Sequence, residues 1–352
     1  YTGGGCPHIL AEPQRTNLYV NSEPTTNEGA EGNITYESFS WDIGFDNCVV
    51  FGDNSALRYR YGATVPASTE VTLSCFIIMD DLSEPVVSLS SSSGDFSLVI
   101  AGAIGGTINA NVSMGSNTWK VSQTTTSGVG NLGNNGILKQ TTQSSKGFKV
   151  VGWQMEVGSY GTSYIPNFGT ALGVTRNQDT FTRDGIGSLI NSTEGVLFVE
   201  MAALADDLTF RFVSVSDGTN NNRVRINYAG GSNQVGARVV SGGATQSNFV
   251  STLSDIKEYV KIAISYKLNE VKFYVNGSLI STDTSATMPI GLSRLALDDG
   301  SGSLNFYGKV KQLQVYDTAL TDEQLLQLTG ESGTDFYESY AEMASALTYT
   351  IQ

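Results

Sequence analysis

The chain has 352 residues, enough for two domains with separate cores, and 39 glycines, 7 prolines and 15% charged residues among short Val, Ile and Tyr runs predict an all-β fold rich in turns. Its 20 basic and 34 acidic residues give a formal charge of −14, and no sequence window gathers the basic surface that nucleic acid requires. The same charge disfavours anionic membranes and strongly acidic glycans unless a cation or a local Lys/Arg patch offsets the repulsion, so a neutral sugar or a protein face is the easier ligand.

Residues 1–13 read as an arm, with a Gly3-Gly4-Gly5 triplet, an apolar patch at Ile9 and Leu10, and no complete strand pattern. The start at Tyr1 rather than Met suits a processed product or the C-terminal part of a longer chain, and neither a signal peptide nor an 18-residue apolar run is recognisable. Residues 14–166 form the first predicted domain. Candidate strands lie at Thr16–Val20, Ser55–Tyr61, Thr69–Met79, Phe96–Ala101, Thr118–Thr124 and Gly147–Glu156, separated by Gly, Asn and Ser clusters as in a β-sandwich. Cys6, Cys48 and Cys75 are an odd set without a CxxC, so neither a disulfide framework nor a zinc site is indicated. Cys75 lies in an apolar run and reads as a small buried hydrophobe, while a Cys6–Cys48 bridge stays open.

A spacer, 167–185, with little apolar periodicity leads to a second predicted sandwich at 186–330. Val260, Ile262, Ile264 and Tyr266 alternate with polar residues, Val271, Phe273 and Val275 follow, and Asn276-Gly277 predicts a type I′ hairpin turn. Near its end, Phe306, Gly308 and Val310 share one face before Leu313 and Val315 take over, a change of phase that a bulge allows. Thr321 and Gln324 make a capping box for a short helix, Leu320 can staple onto Leu325, and Gly330 offers a left-handed stop. The tail, 331–352, places Phe336, Tyr340, Met343 and Leu347 at helical spacing, either packed on the second sandwich or facing a partner subunit.

The run from Phe306 to Leu328 resembles the last strand and helix of the laminin-G-like (LamG), concanavalin A-like sandwich family. The segments EPQRTNLYVNSE (Glu12–Glu23) and VGWQMEVGSYGTSYIPN (Val151–Asn167) resemble the opening and closing parts of a carbohydrate-binding-module-like jelly roll found in bacteriophage tail and tail-fibre proteins, and the spacer resembles the bridge that follows it. The resemblance implies two tandem antiparallel β-sandwiches, a jelly roll and then a LamG-like domain, with a short C-terminal helix. It also implies a non-catalytic virion appendage, assembled in the bacterial host cytoplasm, that acts at the host surface on a glycan or protein receptor. A homo-oligomer, expected as a trimer, joined to other virion proteins through its N-terminal side, belongs to the same expectation. The charge and the lack of a long apolar run separately predict no nucleic-acid binding and no membrane insertion. The alternatives are a secreted polysaccharide-degrading enzyme or its binding modules, a purely structural virion protein, and a bacterial adhesin.

Catalysis is not expected, because retaining glycosidases need two closely spaced carboxylates on one strand face. Glu194 with Glu200 and Asp206 with Asp207 lack that spacing, and His8, the sole histidine, lies in the arm. Sugar binding would use aromatic faces with nearby carboxylates and amides. The candidates are Trp41, taken as exposed beside Asp42 and Asp46, then Tyr59 and Tyr61 alternating with Arg58 and Arg60, and Trp119; core packing is the competing role for each. Calcium is the one cofactor left open. Its candidate ligands are Asp217 in SDGTNNN, Asp298 and Asp299 in LDDGSGS, and, from the jelly-roll resemblance, Glu23 and Glu156. Lys311 and Gln312 occupy the place where LamG domains often carry an acidic ligand, which weakens a calcium site there.

Overall fold

The computed structural model describes residues 8–26, 34–52, 57–61, 65–128 and 135–330, with 57–61 described by backbone alone. Cys6, the glycine triplet and the predicted tail helix lie outside the described residues. The described chain divides into two compact units: residues 12–179, and residues 8–11 with 180–330. The fold is all-β apart from one short helix, as composition predicts.

In the first unit, strands at Ile34–Ser38, Asn47–Phe51, Phe148–Val157, Glu70–Met79, Thr118–Thr126 and Thr107–Ile108 lie in that order in one antiparallel sheet, with Val112–Gly115 also paired to Thr118–Thr126. A second sheet joins Leu57–Tyr61, Asn135–Lys139 and Ser97–Val99. Alternate residues of a strand face opposite sides, so Val71, Leu73, Cys75, Ile77 and Met79 enter the main core with Phe51, Phe148 and Trp153. Phe76 and Ile78 of the same strand face away, where Trp41, Phe45, Cys48 and Val151 build a second apolar cluster on them. The Phe148–Val157 strand breaks register against Glu70–Met79 between Val151 and Gln154. Gly152 sits there at φ +67°, and a Cβ would meet the Phe76 ring at 2.5 Å. This bulge turns Trp153 into the core, stacked on Tyr19 with centroids 5.5 Å apart.

The opening and closing segments of this unit are bound to each other through buried amides. Asn17 donates from Nδ2 to Ser22 Oγ and to the carbonyls of Trp153 and Ile165, while its Oδ1 accepts the N–H groups of Tyr19 and Met155. Gln154 Oε1 accepts Ile165 N–H at 2.6 Å, and Glu12 accepts Ser163 N–H at 2.8 Å. The residues that carry the jelly-roll resemblance thus hold the two ends of the unit together.

In the second unit, one sheet runs in the order Ile9–Ala11, Gly308–Tyr316, Glu194–Ala203, Val260–Lys267, Glu270–Val275, Ser278–Asp283. The facing sheet runs Thr182–Arg183, Arg294–Ala296, Arg211–Ser216, Arg223–Tyr228, Gln234–Ser241, Ala244–Thr252. Between them lie Leu197, Val199, Val213, Val215, Val224, Ile226, Ile262, Ile264 and Phe273. The helix Asp322–Thr329 covers the other side of the first sheet, with Leu325 buried among Val196, Phe198, Ala263 and Tyr274.

Several local signals are reproduced. The bulge falls at Lys311, since Glu200 pairs with Gln312 but Met201 with Val310. Both halves of the capping box are made, Leu320 packs on the cluster that holds Leu325, and Asn276 and Gly277 have φ of 45° and 72°. Two expectations need correction. Gly330 is not a left-handed stop: it caps the helix in an extended conformation, φ −67°, and a Cβ would stand 2.8 Å from the Leu326 carbonyl oxygen. The arm and spacer are not free of strands either. Ile9–Ala11 pairs with Gly308–Tyr316, Val174–Arg176 with Arg15–Asn17, and Thr182–Arg183 with Arg294–Ala296. Strands of two or three residues are too short to show a period, and only their partners reveal them.

Candidate functional site

Trp41 is not a surface platform. It is 3% exposed, meets Phe39 and Phe45 edge-on, and donates from Nε1 to the Asn47 carbonyl at 3.0 Å. The segment that looked polar in sequence folds back, with Phe39 and Trp41 N–H bonded to the Asp46 and Phe45 carbonyls. That leaves Asp42 and Asp46 exposed with the tryptophan beneath. Trp119 is half-buried against the main core, on the side of the sheet opposite the Trp41 cluster. Tyr59 and Tyr61 pair by backbone with Ile137 and Asn135, and their side chains lie outside the description. Trp41 and Trp119 thus lie on opposite sides of the sheet.

The candidate calcium ligands all hold protein donors. Glu156, fully buried, accepts from Thr162 N–H at 2.9 Å, from the Thr162 hydroxyl and from Gln154 Nε2, while Glu23 accepts from the Tyr164 hydroxyl at 2.8 Å. Burial raises Tyr164 far above the ordinary tyrosine range, so that hydroxyl keeps its proton. Asp217 accepts from Thr219 and Asn222; Asp298 pairs with Arg294 at 2.6 Å and accepts Gly300 N–H; Asp299 accepts from Ser301 and from Ser303 N–H. Among the described residues no three His, Cys, Asp or Glu side chains are grouped to hold a metal ion. Lys311, at the bulge, pairs with Glu200 at 3.4 Å and lies 3.8 Å from the Tyr259 ring centroid. Cys48 and Cys75 are buried free thiols, and burial followed by the nearby Glu37 pushes Cys48 up to about 11.

A polar arrangement that sequence reasoning missed lies on the outward face of the second unit's Arg211–Ser216, Arg223–Tyr228 and Gln234–Ser241 strands. Val224 and Ile226 enter the core, so Arg223 and Arg225 face out. Arg225 stands directly opposite Arg238 on one side and Ser214 on the other, and Arg223 stands opposite Ser216, which pairs in turn with Arg294. Arg223 bonds Asn220 and the Asp299 carbonyl, with the Asp299 carboxylate 3.9 Å away, and Arg294 pairs with Asp298. Arg238 donates from Nε to Asn248 at 2.9 Å. Arg225 differs from these. It is 7% exposed, lies 4.4 Å above the Phe212 ring and, among the described residues, has no acceptor for Nε and no carboxylate in ion-pair contact; the Ser214 hydroxyl opposite is fully buried and also without a partner among them. Burial, then the charges of Arg223 and Arg238, push Arg225 below the ordinary arginine range. It still keeps its proton across the working pH range.

Residues 197–326 match the Laminin_G_3 family, described as the concanavalin A-like lectin/glucanases superfamily, so the second unit carries a concanavalin A-like domain. No curated protein sequence matches the chain. Among solved structures the chain is similar to the CBM40 of the Ruminococcus gnavus IT-sialidase, at 17% identity over 43% of this chain and 99% of that one, with a TM-score of 0.35. It is also similar to the leech intramolecular trans-sialidase, at 18% identity over 43% and 25% of the two chains and a TM-score of 0.34. The binding domain of botulinum neurotoxin serotype D follows at 9% identity over 38% and 35%, with a TM-score of 0.30.

Proposed function

We propose that this chain is a non-catalytic binding protein for a cell-surface glycan or glycosylated receptor, carried on a virion appendage. One observation carries the binding reading: a domain of the lectin/glucanase superfamily spans residues 197–326. The appendage part, with its trimeric state, virion partners and assembly in the host cytoplasm, rests on the sequence resemblance of Glu12–Glu23 and Val151–Asn167.

Because that superfamily also includes glucanases, the carboxylates matter. Glu194 and Glu200 share one strand but are six residues apart, roughly 20 Å along it, whereas glycoside hydrolysis needs carboxyl groups within about 5–10 Å. Each is engaged locally, Glu194 by Ala319 N–H and Glu200 by Lys311. Asp207 pairs with Arg211, and Asp206 accepts Asn233 N–H. His8 is exposed and edge-on to Tyr259, 6.4 Å between centroids. These placements support binding without turnover. The test is a glycan array run with and without calcium, alongside an assay for new reducing ends or unsaturated uronates. Retention on glycans with no product supports the proposal; sustained product formation overturns it.

A further inference from the structure

Two charges on the outward face of the second unit form no ion pair among the described residues. Arg225 and Arg238 stand directly opposite each other on paired strands, an arrangement that like charges disfavour. The carboxylates nearby are already engaged, Asp299 with Arg223 and the turn donors after it, Asp298 with Arg294. Burying a guanidinium at 7% exposure without an acidic partner costs stability, and a fold that only needed to fill this position would do better with an apolar side chain. The Arg225 guanidinium is held against the Phe212 ring, so its planar fork is fixed before any ligand arrives.

From this geometry we infer that Arg225 and Arg238 form a binding site for the carboxylate of an acidic saccharide. The inference rests on the glycan-binding proposal and names its ligand class. Two arginines at opposite positions of paired strands supply guanidinium N–H donors that a carboxylate accepts, and bidentate contacts from arginine are the strongest of that kind. The formal charge of −14 does not prevent this, because at physiological ionic strength charges beyond about 8 Å are largely screened while contact pairs are not. Phe210, exposed and stacked at 6.0 Å on the buried Phe212 ring, extends the face with apolar surface for a sugar ring.

The test uses the 352-residue chain on immobilised oligosaccharides presented in three forms: hexuronate oligomers, their carboxyl-reduced neutral counterparts, and sulfated neutral counterparts. Wild type, Arg225→Gln and Arg238→Gln are compared, with melting temperature recorded for each. Wild type is expected to prefer the carboxylated form, and the variants to lose roughly tenfold to a hundredfold in affinity for it, leaving carboxylated and reduced forms alike. Should Arg225→Gln fail to fold, Arg238→Gln decides, since that side chain is only half-buried. Equal binding of carboxylated and reduced forms by wild type, preference for the sulfated form alone, or selectivity kept in both variants overturns the inference and leaves glycan binding standing. Absence of binding to any saccharide overturns both.

Discussion

Replacing Arg225 with Met removes a buried charge and its like-charged neighbour's repulsion while keeping an extended side chain against Phe212. The lost cation–π contact, of order 1 kcal/mol, is offset by the relieved repulsion and by the removal of an unpaired buried charge, so urea unfolding is expected to show a stability unchanged or raised by about 1–3 kcal/mol. A loss above about 3 kcal/mol contradicts a ligand role and marks the arginine as a packing element. Trp41 makes the reverse case: Trp41→Ala is expected to cost about 3–5 kcal/mol in unfolding experiments without selectively weakening saccharide binding. A folded, stable Trp41→Ala protein that has lost binding would restore the surface reading. Both residues show why single side chains were hard to read from sequence. Trp41 sits among Ser40, Asp42 and Asp46, yet the fold-back of that segment turns it onto Phe76 and Val151. The arginines come from separate strands, so no linear window collects them.

Elements whose signals are local were legible: the helix Asp322–Thr329, the bulge at Lys311 and the Asn276-Gly277 turn each depend on residues within a few positions. Thr321→Ala removes the hydroxyl that accepts Gln324 N–H and is expected to cost about 1 kcal/mol, read as a lower denaturation midpoint of the second unit. Strands defined by distant partners, such as Ile9–Ala11 and Thr182–Arg183, were not legible for the same reason. The turn after Asp299 adds a pH dependence. Burial acts to raise the Asp299 carboxyl, but the donors at Ser301 and Ser303 outweigh it and hold it below the ordinary range. A carboxyl lowered by folding stabilises fully above its unfolded value near 3.9 and loses that contribution as pH falls through its folded value. Asp299→Asn is therefore expected to cost about 1–3 kcal/mol near neutrality and progressively less below about pH 4. Denaturant unfolding across that range checks it, and a pH-independent difference contradicts it.

At the scale of the whole molecule, each of the two units has its own core, and the binding role proposed above falls to the second. In the first unit the residues that carry the family resemblance are used to join its ends: of the five hydrogen bonds of Asn17, three reach from the opening to the closing segment, at Trp153, Met155 and Ile165, and two hold the opening segment itself. Asn17→Ala should accordingly lower the stability of that unit by several kcal/mol, each orphaned buried partner costing about 1–3, and leave recognition by the second unit intact. The two-sandwich, all-β organisation followed from composition and turn spacing, whereas the face proposed for recognition emerged only from strand pairing. The most direct test of that role is binding of the 352-residue chain to a glycan array, with the same glycans assayed afterwards for cleavage. Saturable retention on surface saccharides with every glycan recovered intact is the predicted result; cleavage products, or no retention on any glycan, would contradict it.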